Sequence, residues 1–91
     1  MTGLTQIGNG QLHAVWAKGG EIHYRCGSGS SWSTTTNISN TSGSSNYPSI
    51  MSYNRNGYEI YVVWQENVSS GNDEIYYRLN TNGTWGSNQN L

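Results

Sequence analysis

Glu59-Ile60-Tyr61-Val62-Val63-Trp64 decides the fold, because the chain has already used it once, as Gln11-Leu12-His13-Ala14-Val15-Trp16. Around this pair the echo continues. Glu21-Ile22-His23-Tyr24-Arg25 returns as Glu74-Ile75-Tyr76-Tyr77-Arg78, Trp32 as Trp85, and Asn37-Ile38 as Asn90-Leu91. Each hexapeptide is nearly continuous in apolar and aromatic residues over the length of a strand, which is the pattern of a strand covered on both faces. Repeated supersecondary units do not bury their own faces alone, and about three or more normally stack for stability. This chain has two. The pattern therefore points first to architecture and self-association, and only then to a ligand.

Composition agrees. With 91 residues there is room for one small domain. A lone chain of that size buries only about 60–65% of its unfolded surface. Hydrophobic residues make up 33% and charged residues 10%, so the core is thin, yet the charge is too low for a disordered chain. Four Trp and seven Tyr stand beside no Phe, so every aromatic carries a polar handle suited to an interface. A net charge of -1 with four scattered cations gives no patch for nucleic acid. No apolar run approaches the roughly 20 residues of a membrane span, and Met1-Thr2-Gly3 opens no signal-peptide pattern. Cys26 is the sole cysteine, so no intrachain disulfide is expected; it reads as a half-buried residue near a strand end.

Short β-branched and aromatic runs broken by Gly, Asn and Ser predict eight strands and no helix. In the first unit these are residues 5–7, 11–17, 21–26 and 32–38, with Gly8-Asn9-Gly10 as a tight turn. In the second they are residues 49–53, 59–66, 74–79 and 85–91. The units are residues 1–38 and 48–91, joined by a polar linker at 39–47. Ile7 aligns with Ile50 at an offset of 43, Trp16 with Trp64 at 48, and Trp32 with Trp85 at 53. Both hairpins of the second unit are thus expected to be longer by five residues. Within each unit the strands grade from apolar to polar, and that gradient is what a β-propeller blade needs.

The run Ile75-Tyr76-Tyr77-Arg78-Leu79-Asn80-Thr81-Asn82-Gly83-Thr84-Trp85 resembles the Asp-box, or BNR, repeat of sialidase-like propellers. In that repeat a strand ending in Tyr-Arg leads through a Ser-x-Asp-x-Gly-x-Thr-Trp turn into an outer strand. Val62-Val63-Trp64 fits the strand before it, and the resemblance spans essentially the whole chain, once per unit. Asn82 stands where the repeat has Asp, and Gly27-Ser28-Gly29-Ser30-Ser31-Trp32 keeps only the Gly and Trp pattern. The two-unit size is similar to that of small bacterial fucose-binding lectins, whose two-blade chains trimerise into a six-bladed ring. Ile22-His23-Tyr24-Arg25-Cys26 followed by Trp32 is similar to their third-to-fourth-strand segment. The resemblance implies an Arg–aromatic sugar site. Those lectins place an acidic residue just before the Arg; Tyr24 and Tyr77 stand there instead, so fucose specificity does not carry over.

The expected architecture is all-β: two four-stranded propeller blades per chain, closing a six-bladed ring by homotrimerisation. An eight-bladed tetramer is the second choice. The expected partners are copies of the chain itself and glycans, with no nucleic acid, membrane or cofactor. Candidate sugar-binding residues are Trp32, Trp85, Arg25, Arg78, Tyr24 and Tyr77, which offer aromatic faces to sugar C–H patches and donors to hydroxyls. The competing reading makes the same Trp residues plugs between blades and the Arg residues structural, in a designed or excised scaffold with no ligand. Sialidase-type hydrolysis needs an arginine cluster, a Tyr nucleophile and an acid. Arg25, Arg55 and Arg78 are present, but the Arg-Ile-Pro signature is replaced by Tyr47-Pro48-Ser49-Ile50, and no enzyme is expected. His13 and His23 match no metal-ligand spacing.

Overall fold

The doubled hexapeptides form the second strand of each of two antiparallel sheets. The computed structural model describes residues 2–6, 11–28, 31–41, 43–54, 57–69 and 71–91, with backbone alone for 2–6 and Ser69. The first sheet runs in the order β1 (Thr2–Gln6), β2 (Leu12–Lys18), β3 (Glu21–Gly27), β4 (Thr36–Asn37). The second contains β5 (Ser44–Asn54), β6 (Tyr58–Ser69), β7 (Asn72–Thr81), β8 (Thr84–Trp85) and β9 (Gln89–Asn90), with both β8 and β9 on β7. The described residues are all-β, without a helix.

Backbone pairing reproduces the sequence repeat. Val15 pairs with Tyr24 and Trp16 with His23; in the second sheet Val63 pairs with Tyr77 and Trp64 with Tyr76. The outer edges match as well, Tyr24 with Thr36 against Tyr77 with Gln89, and Gly27 with Trp32 against Asn80 with Trp85.

Three expectations need correction. Leu4 pairs with Ala14 as Ile50 pairs with Val62, so the counterpart of Ile50 is Leu4 at an offset of 46, not Ile7 at 43. The second unit's first hairpin is therefore longer by two residues rather than five, while the second hairpin keeps its five. A single Ile in polar sequence was too weak an anchor against a ladder whose register is set by the hexapeptide. Ile7, the Gly8-Asn9-Gly10 turn and Arg55 lie outside the described residues.

The fourth strand is also interrupted in both units, which gives the second sheet five strands instead of four. The first unit has a bridge at Trp32 and then β4; the second has β8 and then β9. The cause is repeated too. The Arg25 Nε donates to the Ser33 carbonyl at 2.8 Å and the Arg78 Nε to the Gly86 carbonyl at 2.6 Å, so a guanidinium takes the acceptor where the ladder lapses.

β5 begins at Ser44, and Ser45 pairs with Glu66 inside the stretch read as linker. Its register then shifts between Asn46 and Ser49, where Tyr47 has φ 56° and Pro48 brings no N–H.

Side chains alternate along the strands. His13, Val15, Ile22 and Tyr24 point into the space between the sheets; from the other side come Ile60, Val62, Trp64 and Glu66. Ile38 completes the core, and Ile50, Tyr58, Tyr76 and Trp85 pack on its margin. The repeat counterparts of the two buried sets are different. Val15, Ile22, Tyr24 and Ile38 correspond to Val63, Ile75, Tyr77 and Leu91, whereas Ile60, Val62 and Trp64 correspond to Leu12, Ala14 and Trp16. The sheets therefore meet front to back, each using the face that the other leaves uncovered.

The connection between the sheets is tied to two carboxylates. Glu66, 1% exposed, accepts from the Thr41 hydroxyl at 2.5 Å, the Ser45 hydroxyl at 2.6 Å and the Trp64 indole at 2.9 Å. Glu21 accepts from the Ser39 hydroxyl at 2.5 Å. Gly43 sits between these anchors, and a Cβ there would collide with the Asn67 carbonyl and the Glu66 carboxylate.

Candidate functional site

Three of the six sugar-site candidates converge at the seam between the sheets. Tyr24 points inward from β3 because it alternates with His23 and Arg25. Its ring meets Trp85 edge-on with centroids 5.0 Å apart, a favoured aromatic geometry. Arg78 crosses the same seam from β7: its guanidinium carbon lies 5.6 Å from the Trp85 ring centre, and its Nη1 donates to the Ile38 carbonyl at 2.9 Å. One guanidinium thus holds main-chain carbonyls on both sheets, those of Gly86 and Ile38. Asn88 adds a bond of 2.7 Å from its side-chain amide to the Ser39 carbonyl.

Behind Tyr24 lies His13. Its Nδ1 is 2.6 Å from the Tyr24 hydroxyl, and its ring also approaches Tyr58 at 6.2 Å between centroids. The His13 Nε2 is buried and has no hydrogen-bond partner among the described residues. Burial pushes the His13 pKa below its ordinary value, and burial first, with the neighbouring Cys26 second, pushes the Tyr24 phenol up. Burial also lowers the pKa of Arg78.

The other three candidates lie elsewhere. Arg25 is half-buried on the outer side of the first sheet and gives its Nε to Ser33. Trp32, 39% exposed, stands beside it at the sheet edge. Tyr77 faces away from the seam and lines a groove of about 360 Å³ with Met51, Tyr61, Val63 and Leu91. That lining is apolar and has little to offer sugar hydroxyls.

Sequence reasoning did not assign His13, Tyr58 or Glu66 to the seam. The alternation of His13 with Ala14 and Val15 carried the signal for the first; Tyr58 and Glu66 fall outside the repeated segments and carried none. Among the described residues no group of three or more His, Cys, Asp or Glu is placed to hold a metal ion. Among the described residues no helix is long and apolar enough to cross a membrane. No family model, no curated protein and no solved structure matches the chain.

Proposed function

We propose that the chain is a two-blade module that joins copies of itself into a closed β-propeller, three chains making six blades, and that the ring binds carbohydrate in lectin-like fashion at its blade seams. The observation that carries this reading is the front-to-back packing of two equivalent sheets. Such a contact leaves one used and one unused face on each sheet, and a heterologous contact that repeats and closes is a cyclic oligomer. Four chains making eight blades is the alternative closure.

The sugar part rests on Arg78 and Trp85, both half-buried, which put a planar cation and an aromatic ring at a junction between sheets, while the buried Tyr24 supports Trp85 from beneath. A second reading is favoured by the commitments of Arg78, whose Nε and Nη1 already serve two carbonyls. On that reading the module is a scaffold with no ligand. Hydrolysis has less support: Glu21 and Glu66 accept bonds from the connection, and paired carboxylates in unlike environments flanking an open site are what glycosidases need. A glycan array probed with the assembled protein separates the readings. Binding to a defined glycan class is the expected result; an intact ring that binds none leaves the scaffold.

A further inference from the structure

We infer that the groove flank of the second sheet, centred on Val63, Tyr77 and Leu91, docks the outer flank of the first sheet of a second copy, centred on Ala14, Trp16 and Trp32. This rests on the assembly reading above and names the two surfaces that carry it.

The contact inside the chain is the template. There, Val15, Tyr24 and Ile38 of the first sheet lie under the second and are almost fully buried. Their counterparts have the same shape and character but no cover: Leu91 is 76% exposed where Ile38 is 0%, and Tyr77 and Val63 line an open groove. Exposed apolar residues gather on this flank, with Met51 at 57% and Ile75 at 44%. A contiguous apolar patch of this kind marks an interaction surface.

The complementary flank repeats the other half of the template. Trp64 stacks near Tyr76 with centroids 6.1 Å apart and planes at 33°, and it is 1% exposed. Its counterpart Trp16 makes the same stack with His23, at 5.8 Å and 27°, but is only half-buried and borders a shallow cavity of about 200 Å³ with Lys18 and Thr35. The pair is preformed and lacks only its cover.

Two polar contacts of the template have available counterparts. Trp85 meets Tyr24 edge-on across the internal seam, which places Trp32 of the second copy on Tyr77. Arg78 donates to the Ile38 carbonyl, which places Arg25 of the second copy on the main-chain oxygen of Leu91. In the single chain Arg25 already makes the equivalent of the other Arg78 bond, so its guanidinium is held in the orientation this requires. The occupant is therefore a second copy, because each flank lacks the surface that the other flank presents.

The test is a pair of single-flank variants studied by sedimentation equilibrium. Val63→Lys disables the groove flank and Ala14→Lys the other. Both positions lie on outward faces, so folding should persist; circular dichroism and urea unfolding check it, and Met51→Lys, at an already exposed groove position, is the second groove variant. Wild type is expected to be a closed oligomer, each variant alone a monomer with association weakened at least 100-fold, and a mixture of Val63→Lys with Ala14→Lys a 1:1 dimer through the intact flank of each. If wild type assembles but Val63→Lys and Met51→Lys assemble equally well, these surfaces are wrong while the assembly reading stands. Self-pairing of Ala14→Lys through its groove would show a symmetric contact and overturn the inference. A wild-type monomer at millimolar concentration would overturn both.

Discussion

Glu66 shows how much one side chain can carry. A carboxylate leaves water at considerable cost unless donors replace it, and here three neutral donors do so. One of them, Thr41, belongs to the connection between the sheets and another, Ser45, to the start of β5, so the same group fixes how the sheets are joined. Glu66→Ala would strand all three donors, and a loss of about 3–5 kcal/mol is expected in urea unfolding at fixed protein concentration. Glu66→Gln keeps one acceptor and should lose less, about 1–3 kcal/mol. A variant as stable as wild type would show the cluster to be incidental. His13 makes a different demand. Its folded-state pKa lies below the ordinary 6.5, so the native chain requires the neutral ring. Stability from this group is fully present above pH 6.5 and is lost as pH falls from there through the folded-state pKa, because only the unfolded chain binds the proton in that interval. The stability of wild type relative to His13→Gln should therefore decline as the solution is acidified below 6.5 and stay level above it. A flat difference would mean that the ring is reached by water.

The hairpin and the bulge dominate at the scale of elements. Tyr47 holds φ 56° with its side chain 59% exposed, a conformation that costs an ordinary L residue about 1 kcal/mol and that Asn accepts more readily. Tyr47→Asn is expected to raise stability by about 0.5–1 kcal/mol without altering the β5–β6 register, as checked by urea midpoint and backbone amide shifts. A fall in stability would mean that the tyrosine ring packs well enough to outweigh the strain. The same elements show what was legible beforehand. The β2–β3 and β6–β7 ladders were readable because repeated hexapeptides fix offset, register and inward face together. The first strand was misaligned because Leu4 and Ile7 are both apolar and nothing local chooses between them. The split fourth strands could not be read from Ser, Thr, Gly and Asn alone, since an arginine eight residues upstream interrupts the ladder. At the site, Tyr24, Arg78 and Trp85 were nominated for a sugar and do meet, but Tyr77 faces the other way. Alternation puts neighbouring residues on opposite faces, and the repeat does not say which face of each sheet the chain itself will cover. In the turn between β7 and β8, Asn82 takes φ 51° ahead of Gly83 at 97°, and its side-chain oxygen accepts from the Tyr58 amide at 2.8 Å. A short side chain that tolerates the left-handed region and accepts a bond is what that position needs.

For the whole molecule the decisive quantity is the number of covered faces. A single chain has a radius of gyration of 13.0 Å and extents of 42 × 26 × 17 Å, the shape of a slab two sheets thick with a flank open on either side. Close packing of one internal seam leaves Met51, Ile75 and Leu91 in water on one flank and the Trp16–His23 stack half-covered on the other. Covering both flanks by the contact already present requires every copy to donate one flank and accept one, so a growing open chain always retains two uncovered ends and only closure removes them. The proposal thus fixes a size and a concentration law. A globular body of three such chains has a radius of gyration of about 18–19 Å by the usual scaling with residue number. Small-angle scattering in dilute solution is expected to give that value, with no population at the 13.0 Å of the single chain until the sample is diluted below the dissociation constant. On the proposed assembly the flanks are buried only between copies, so the thermal midpoint is also expected to rise with protein concentration, as it does for any species whose native state binds copies of itself. A midpoint independent of concentration over two decades, together with scattering at the single-chain value, would establish that two sheets suffice and that the open flanks serve something other than a second copy.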